Sequence, residues 1–304
     1  MNGVLRLDRN FACFAAVMTV VSLGSLATAQ AADWDYPLAV AVSPQGDIFV
    51  ADRYLPGVWK VTGGKPEVYF QGEKKFRTPL NAPRCIAFDK DGKLLVGDSA
   101  TRDIYRFDDK GKPQPLTKGE IGIPMGIAAS AAGDLLVSDL ESHRIWKVPA
   151  AGGQPVKFAD VSAPHGMTFD EQGRLWVVSH GADQLLRFSA AGKVEVIVKG
   201  RPFKFPHDVV VDKEGQAFVS DGYAKAVWKV PATGGTPAEW VQGKPLVSPV
   251  GIAWKTRGTS VLIVDPHAKQ LFVAEGGKIT AVTPPVAIPV PVAAPTPAAT
   301  PAKP

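Results

Sequence analysis

Apolar residues in this chain fall in clusters of three or four, never at helical spacing. Six clusters read "VAV", "IAF", "IAA", "MTF", "VVV" and "IAW". Each is followed, past a polar turn, by a second: "IFV", "LLV", "LLV", "LWV", "AFV" and "VLIV". Short β-branched or aromatic runs bounded by Gly, Pro and Asp predict strands. The punctuation is periodic. Prolines stand at 37, 83, 124, 164, 206 and 249, at intervals of 46, 41, 40, 42 and 43, and a glycine follows each by nine residues. After the second cluster comes an aspartate in five of six units: Asp52, Asp98, Asp139, Asp221 and Asp265. The fourth unit has Ser179 instead.

A third stretch often pairs an aromatic with a base, as in Trp59-Lys60 and Trp228-Lys229, and a weaker fourth closes most units. Four strands in about 42 residues is the size of one propeller blade. One blade cannot bury both its faces, so six must pack around an axis. The pattern therefore predicts an all-β, six-bladed β-propeller with four-stranded blades, folded as one domain over 36–283. The glycines fall in the turn between the first two strands, where a positive φ is often required.

The two ends do not share this pattern. Arg6 and Arg9, the apolar run Phe11–Leu26 and small-residue cleavage sites near Ala29 and Ala31 form a signal-peptide pattern over 1–31. The expected localisation is export, to a periplasmic or extracellular space, with membrane contact only through that segment if it stays uncleaved. Removing it leaves one cysteine, Cys85, and so no internal disulfide. Residues 284–304 are rich in proline and alanine and are read as an extended tail. The composition, 45% hydrophobic and 21% charged, suits a substantial core, and a net charge of +5 without a basic block argues against nucleic acid. A monomer is expected.

The third unit, "PMGIAASAAGDLLVSDLESHRI" at 124–145, closely resembles an NHL repeat. The resemblance covers all six units. It implies a six-bladed propeller of the superfamily that also holds the gluconolactonase-like proteins. Lyases, lactonases and binding modules share that fold, so it does not select a function.

Propeller geometry places the residue after each proline at one mouth of the central channel. These are Leu38, Arg84, Met125, His165, His207 and Val250. Blades four and five gather the histidines: His165, His207 and, beside Ser179, His180. With Asp208 these could hold a divalent metal such as zinc while leaving a position open. His143 and His267 read as surface and loop residues, Cys85 as a small buried residue, and the aspartates as acceptors of loop backbone bonds. The segments "PHG", "PHD" and "SDGY" resemble the peptidylglycine amidating lyases. That resemblance implies a metal on His165 and His207 and a catalytic role for Tyr223; that family uses three Pro-His histidines, and only two follow repeat prolines here. A lactonase ligand set would need asparagines, and Asn81 is the only one beyond the signal segment. The expected function is a binding module that uses the channel mouth or its loops for a small molecule, a peptide or an envelope protein. The alternative is a metal-dependent lyase or hydrolase in which Arg84 holds an anionic group.

Overall fold

The computed structural model describes residues 34–282. The residues read as a signal segment (1–31) and the proline-rich tail (284–304) lie outside the described residues. Within them the chain forms six four-stranded antiparallel sheets, each built from consecutive strands. Blade one comprises Pro37–Val42, Ile48–Asp52, Gly57–Thr62 and Lys65–Gln71, ordered from the channel outward. The inner strands of the next four blades begin at Pro83, Pro124, Pro164 and Pro206, as the proline spacing predicts. In blade six Pro249 lies outside the strand, which starts at Ile252.

Burial falls from the axis outward. Every residue of the second strand is buried in all six blades. The outermost strands are largely exposed. Strands buried on both faces read as continuous apolar runs, and edge strands do not. The six repeat glycines adopt φ between 70° and 94°, the left-handed region that a side chain disfavours.

The core is six separate seams, one between each pair of neighbouring blades. Closure of the ring uses the same device as every other seam. Blade one is wholly N-terminal and blade six wholly C-terminal, so no strand is exchanged. Val40, Val50 and Trp59 pack directly against Leu262, Val264 and Leu271.

The repeat aspartates lock each blade's loops. Asp52 accepts from the backbone N–H groups of Asp35, Tyr36, Tyr54 and Leu55 and from Trp59 Nε1. Asp139 and Asp221 repeat the tryptophan bond with Trp146 and Trp228. A buried carboxylate surrounded by donors is stable as an anion. This is the structural role read from the repeat. Blade four solves the same problem differently. Ser179 Oγ accepts from Gly181 N at 2.9 Å and donates to Ser162 O at 2.8 Å. The fully buried Gln184 then holds the Phe203 backbone at both its N–H and C=O.

Candidate functional site

The channel mouth opens into a cavity of about 520 Å³, within the range of small-molecule sites. Arg84, Met125, His207, Leu38 and Val250 line it, five of the six residues that follow the repeat prolines. The sixth, His165, is buried behind this wall at 5% exposure. Arg53, Tyr36, Phe205, Tyr223, Ser248 and His267 complete the lip.

The histidines do come together. His165 and His180 stack with ring centroids 3.9 Å apart and planes 18° apart. His207 meets His165 edge to face at 5.9 Å. Phe205 packs on both His180 and His207 and carries Tyr223 in a parallel stack at 4.6 Å. A column of rings thus runs from buried His165 to Tyr223, which is 68% exposed at the lip. Loss of water holds all three imidazoles neutral. His165 is pushed down to about 4 and His207 to about 3, chiefly by burial and then by their fellow histidines, and His180 is lowered for the same first reason.

This packing does not suit a metal. A carbonyl accepts from each of two rings: Ala163 O lies 3.1 Å from His165 Nδ1, and Pro206 O lies 2.6 Å from His180 Nε2. Those contacts place the protons there and leave His165 Nε2 and His180 Nδ1 with lone pairs. Lone pairs lie in the ring plane, and two nearly parallel stacked rings cannot aim them at one ion about 2 Å from each. Asp208 points elsewhere: its oxygens accept from Val209 N at 2.8 Å and Ile252 N at 3.1 Å. A Cβ added at Gly166 would fall 2.1 Å from Asp208 Oδ1, so this carboxylate is wedged between blades four and five. Among the described residues no group of three His, Cys, Asp or Glu side chains is placed to hold a metal ion. The proposed set of His165, His207, His180 and Asp208 therefore separates into a ring stack and a wall carboxylate. Burial pushes Asp208 up to about 7.

The opposite side of the mouth is cationic. Arg84 Nε donates to Ser99 Oγ at 2.9 Å, and Nη1 rests 4.0 Å from Met125 Sδ. Burial and the charge of Arg53 hold this guanidinium below its ordinary value. Among the described residues, neither Arg53 nor Arg84 makes an ion pair. Tyr36 stands beside them, stacked on Tyr54 at 4.7 Å.

Residues 24–202 match the family described as SMP-30/gluconolactonase/LRE-like. The chain belongs to that family. Its relatives include peptidyl-glycine alpha-amidating monooxygenase B of Xenopus laevis, 26% identical over 64% of this chain and 26% of that protein. The human E3 ubiquitin-protein ligase TRIM32 is 22% identical over 76% of this chain and 40% of its own. The chain thus spans about a quarter of the length of the frog relative. Among solved structures, a gluconolactonase from Xanthomonas campestris superposes with a TM-score of 0.67 at 16% identity, covering 82% of this chain and 87% of that one. A virginiamycin B lyase from Staphylococcus aureus gives 0.65 at 16% identity, covering 83% and 86%. These likenesses establish the fold of this SMP-30/gluconolactonase-like protein.

Sequence reasoning missed five members of its lip. Arg53 and His267 each fall one or two residues after a repeat aspartate, a position already known to reach the mouth face. Tyr36, Phe205 and Ser248 directly precede repeat prolines, the counterpart signal on the first strand. His143 is structural as read: its Nδ1 accepts from Ala163 N at 2.9 Å.

Proposed function

We propose that this protein is an exported binding propeller that takes a small carboxylate-bearing molecule at the mouth of its channel. One observation carries the reading. Among the described residues, Arg53 and Arg84 line the same cavity without an ion-paired acid, and burial together with the charge of Arg53 disfavours the charged form of Arg84. A guanidinium pair held this way is stabilised by an anion with complementary fork geometry. His207, neutral and on the facing wall, adds a hydrogen-bonding group without a competing charge. The signal-like N-terminus supports export, and the pattern of self-contained blades supports a monomer.

The test is calorimetric titration of the full chain with benzoate at low and high salt. Binding that weakens with salt, and by at least tenfold in Arg53→Gln/Arg84→Gln, is the expected result. Equal binding in the variant rejects the reading. A second reading, a lyase or hydrolase, is favoured by the placement of His207 and Tyr223 on one lip of that cavity. It is separated from plain binding by whether the ligand is recovered unchanged after prolonged incubation.

A further inference from the structure

The two ends of the propeller differ in charge. Loops that join second to third strands, or one blade to the next, lie on the mouth face; turns that join first to second or third to fourth strands lie on the opposite face. Among the described residues, the mouth-face loops carry twelve Lys and Arg against four Asp and Glu, whereas the opposite turns carry eight against ten. The repeat aspartates stand at buried strand ends with their oxygens bonded to loop donors, so the charge this face shows to solvent is basic. Two blade-to-blade loops hold half of the bases. Loop 72–82 has Lys74, Lys75 and Arg77 beside Glu73, and loop 199–205 has Lys199, Arg201 and Lys204 with no acid. All six of these bases are exposed.

Exposed large apolar side chains sort to the same end. Phe76, Tyr223, Tyr54 and Val247 stand in mouth-face loops, five others lie on outermost strands, and the opposite turns hold none among the described residues. Phe76 is the extreme, at 85% exposure. Its loop is held by bonds of its own. Thr78 N and Oγ1 donate to Lys75 O at 3.2 and 2.8 Å, Asn81 Nδ2 donates to the same carbonyl at 3.0 Å, and Gly72 N donates to Pro56 O at 2.9 Å. Arg77 takes φ 61°, a conformation uncommon for a residue with a Cβ. Its guanidinium lies 5.0 Å from the Phe76 ring, and Lys74 Nζ lies 5.5 Å from the Tyr54 ring. A ring fixed in water between bases gains free energy by entering an apolar phase whose surface is anionic.

We propose that the mouth face docks on an anionic lipid surface, with Phe76 entering the boundary between headgroups and acyl chains and the bases of loops 72–82 and 199–205 lying over lipid phosphates. Bases beside apolar rings are the composition by which proteins hold to a membrane surface. A plane suits this arrangement better than an acidic protein does. The exposed rings stand on separate loops of different blades, and a plane meets several loop tips at one end of a ring together. A protein interface is built around a contiguous apolar core with a polar rim. This contact goes beyond the membrane contact expected of the N-terminal segment, and it is independent of the carboxylate reading.

The experiment is co-sedimentation of the full chain and its variants with vesicles of phosphatidylcholine alone, or of equal parts phosphatidylcholine and phosphatidylglycerol. Every variant keeps the same N-terminal segment, so that segment contributes equally to all. The wild type should bind the anionic vesicles about tenfold more tightly than the neutral ones, and less tightly as salt rises. Lys74→Gln/Lys75→Gln/Arg77→Gln should weaken that binding by about tenfold or more, since each base near such a surface is worth roughly fivefold. Phe76→Ser should weaken it by about threefold or more at low and high salt alike. Lys90→Gln/Lys110→Gln/Lys112→Gln, on the opposite face, should leave it unchanged, and wild-type melting temperatures confirm the fold of each variant. Equal weakening by the opposite-face variant, or equal binding to both kinds of vesicle, would overturn the docking face. Unchanged binding in Phe76→Ser would overturn insertion. Failure to bind anionic vesicles rejects the proposal, and polyglutamate binding lost in the loop variant would then assign the face to an acidic peptide.

Discussion

The two sides of the channel mouth occupy equivalent positions of the repeat and behave as opposites. On the side of blades four and five, His165, His180, Phe205 and His207 are packed against one another and kept neutral. On the side of blades one and two, Arg53 and Arg84 make no ion pair among the described residues, and burial with the charge of Arg53 disfavours the charged form of Arg84. The repeat dictates where a side chain is presented, and the neighbours decide what it can do there. Histidines that read as a ligand set from spacing alone become a hydrophobic stack once their rings touch. An arginine that reads from the sequence as the holder of an anionic group is joined by a second, Arg53, in the same cavity. The comparison also separates cost from function. Neutral imidazoles need not be repaid by a ligand, whereas an unpaired guanidinium gains stability when one arrives.

The sharpest way to break this comparison is at the second residue past the proline. In blade four that residue is Gly166, and any Cβ there would lie 2.6 Å from the Asp208 backbone. Gly166→Ala should cost at least about 3 kcal/mol, because backbone rather than a flexible side chain must move. In blade two the same position is Cys85, whose Cys85→Ala change should cost about 1–2 kcal/mol for lost packing. Chemical denaturation of both variants tests the asymmetry, and similar losses would show that the two sides are equally tight.

The next largest effect is in pH. His165 and His207 have folded values depressed below their ordinary 6.5, so they bind fewer protons folded than unfolded. Their stabilisation is complete above about pH 6.5 and is lost as the pH falls toward 4 and 3. Asp208 has the opposite sign: its raised value penalises the fold as pH rises from 3.8 through about 7. Two histidines outweigh one acid, so the fold should lose about 2 kcal/mol net between pH 7 and pH 5. His165→Phe/His207→Phe removes the first term and leaves the second. Its stability should then hold or rise over that interval, and a wild-type slope in the double variant would discredit the account. On the other side of the mouth, Arg84→Gln should change stability by less than about 1 kcal/mol at either pH while removing most carboxylate affinity.

Much of this fold was legible because a repeat multiplies weak signals. No single "IAF" or "LLV" identifies a strand, but six copies at fixed distances from a proline and a glycine do. The mouth tier followed from the same spacing, which is why Arg84, His207 and Met125 were placed correctly. What spacing could not supply was direction and contact. It put Asp208 beside His207, yet adjacent residues of a strand face opposite ways, so one lines the mouth with the ring stack and the other is wedged toward Gly166. It brought His165 and His180 to one place, yet their stacking depends on how loops from two strands cross. Phe205, the ring that joins the column, was invisible because it sits outside the repeat's apolar clusters.

The smallest predicted effect concerns the residue that makes the histidine side possible. Five blades place an aspartate after the second strand, and three of these hold a tryptophan from the third strand by its Nε1. Blade four has Ser179, and Leu186 stands where the tryptophan would be. The donors at the equivalent places, Ala163 N and Gly181 N, are already taken by His143 Nδ1 and by Ser179 Oγ, so restoring the acid gains little. Ser179→Asp should change stability by less than about 1 kcal/mol, because the donors an aspartate would satisfy are already paired. Its charge should be felt by His180, the next residue, whose titration burial now lowers. A carboxylate there favours the protonated imidazole, so the His180 resonance should titrate at higher pH in the variant. An unchanged His180 titration would mean that the ring stack shields it, and that the serine marks only the absence of a tryptophan. A raised one would mean that blade four dropped its aspartate because an acid at this place would charge the column that the other side of the mouth needs neutral.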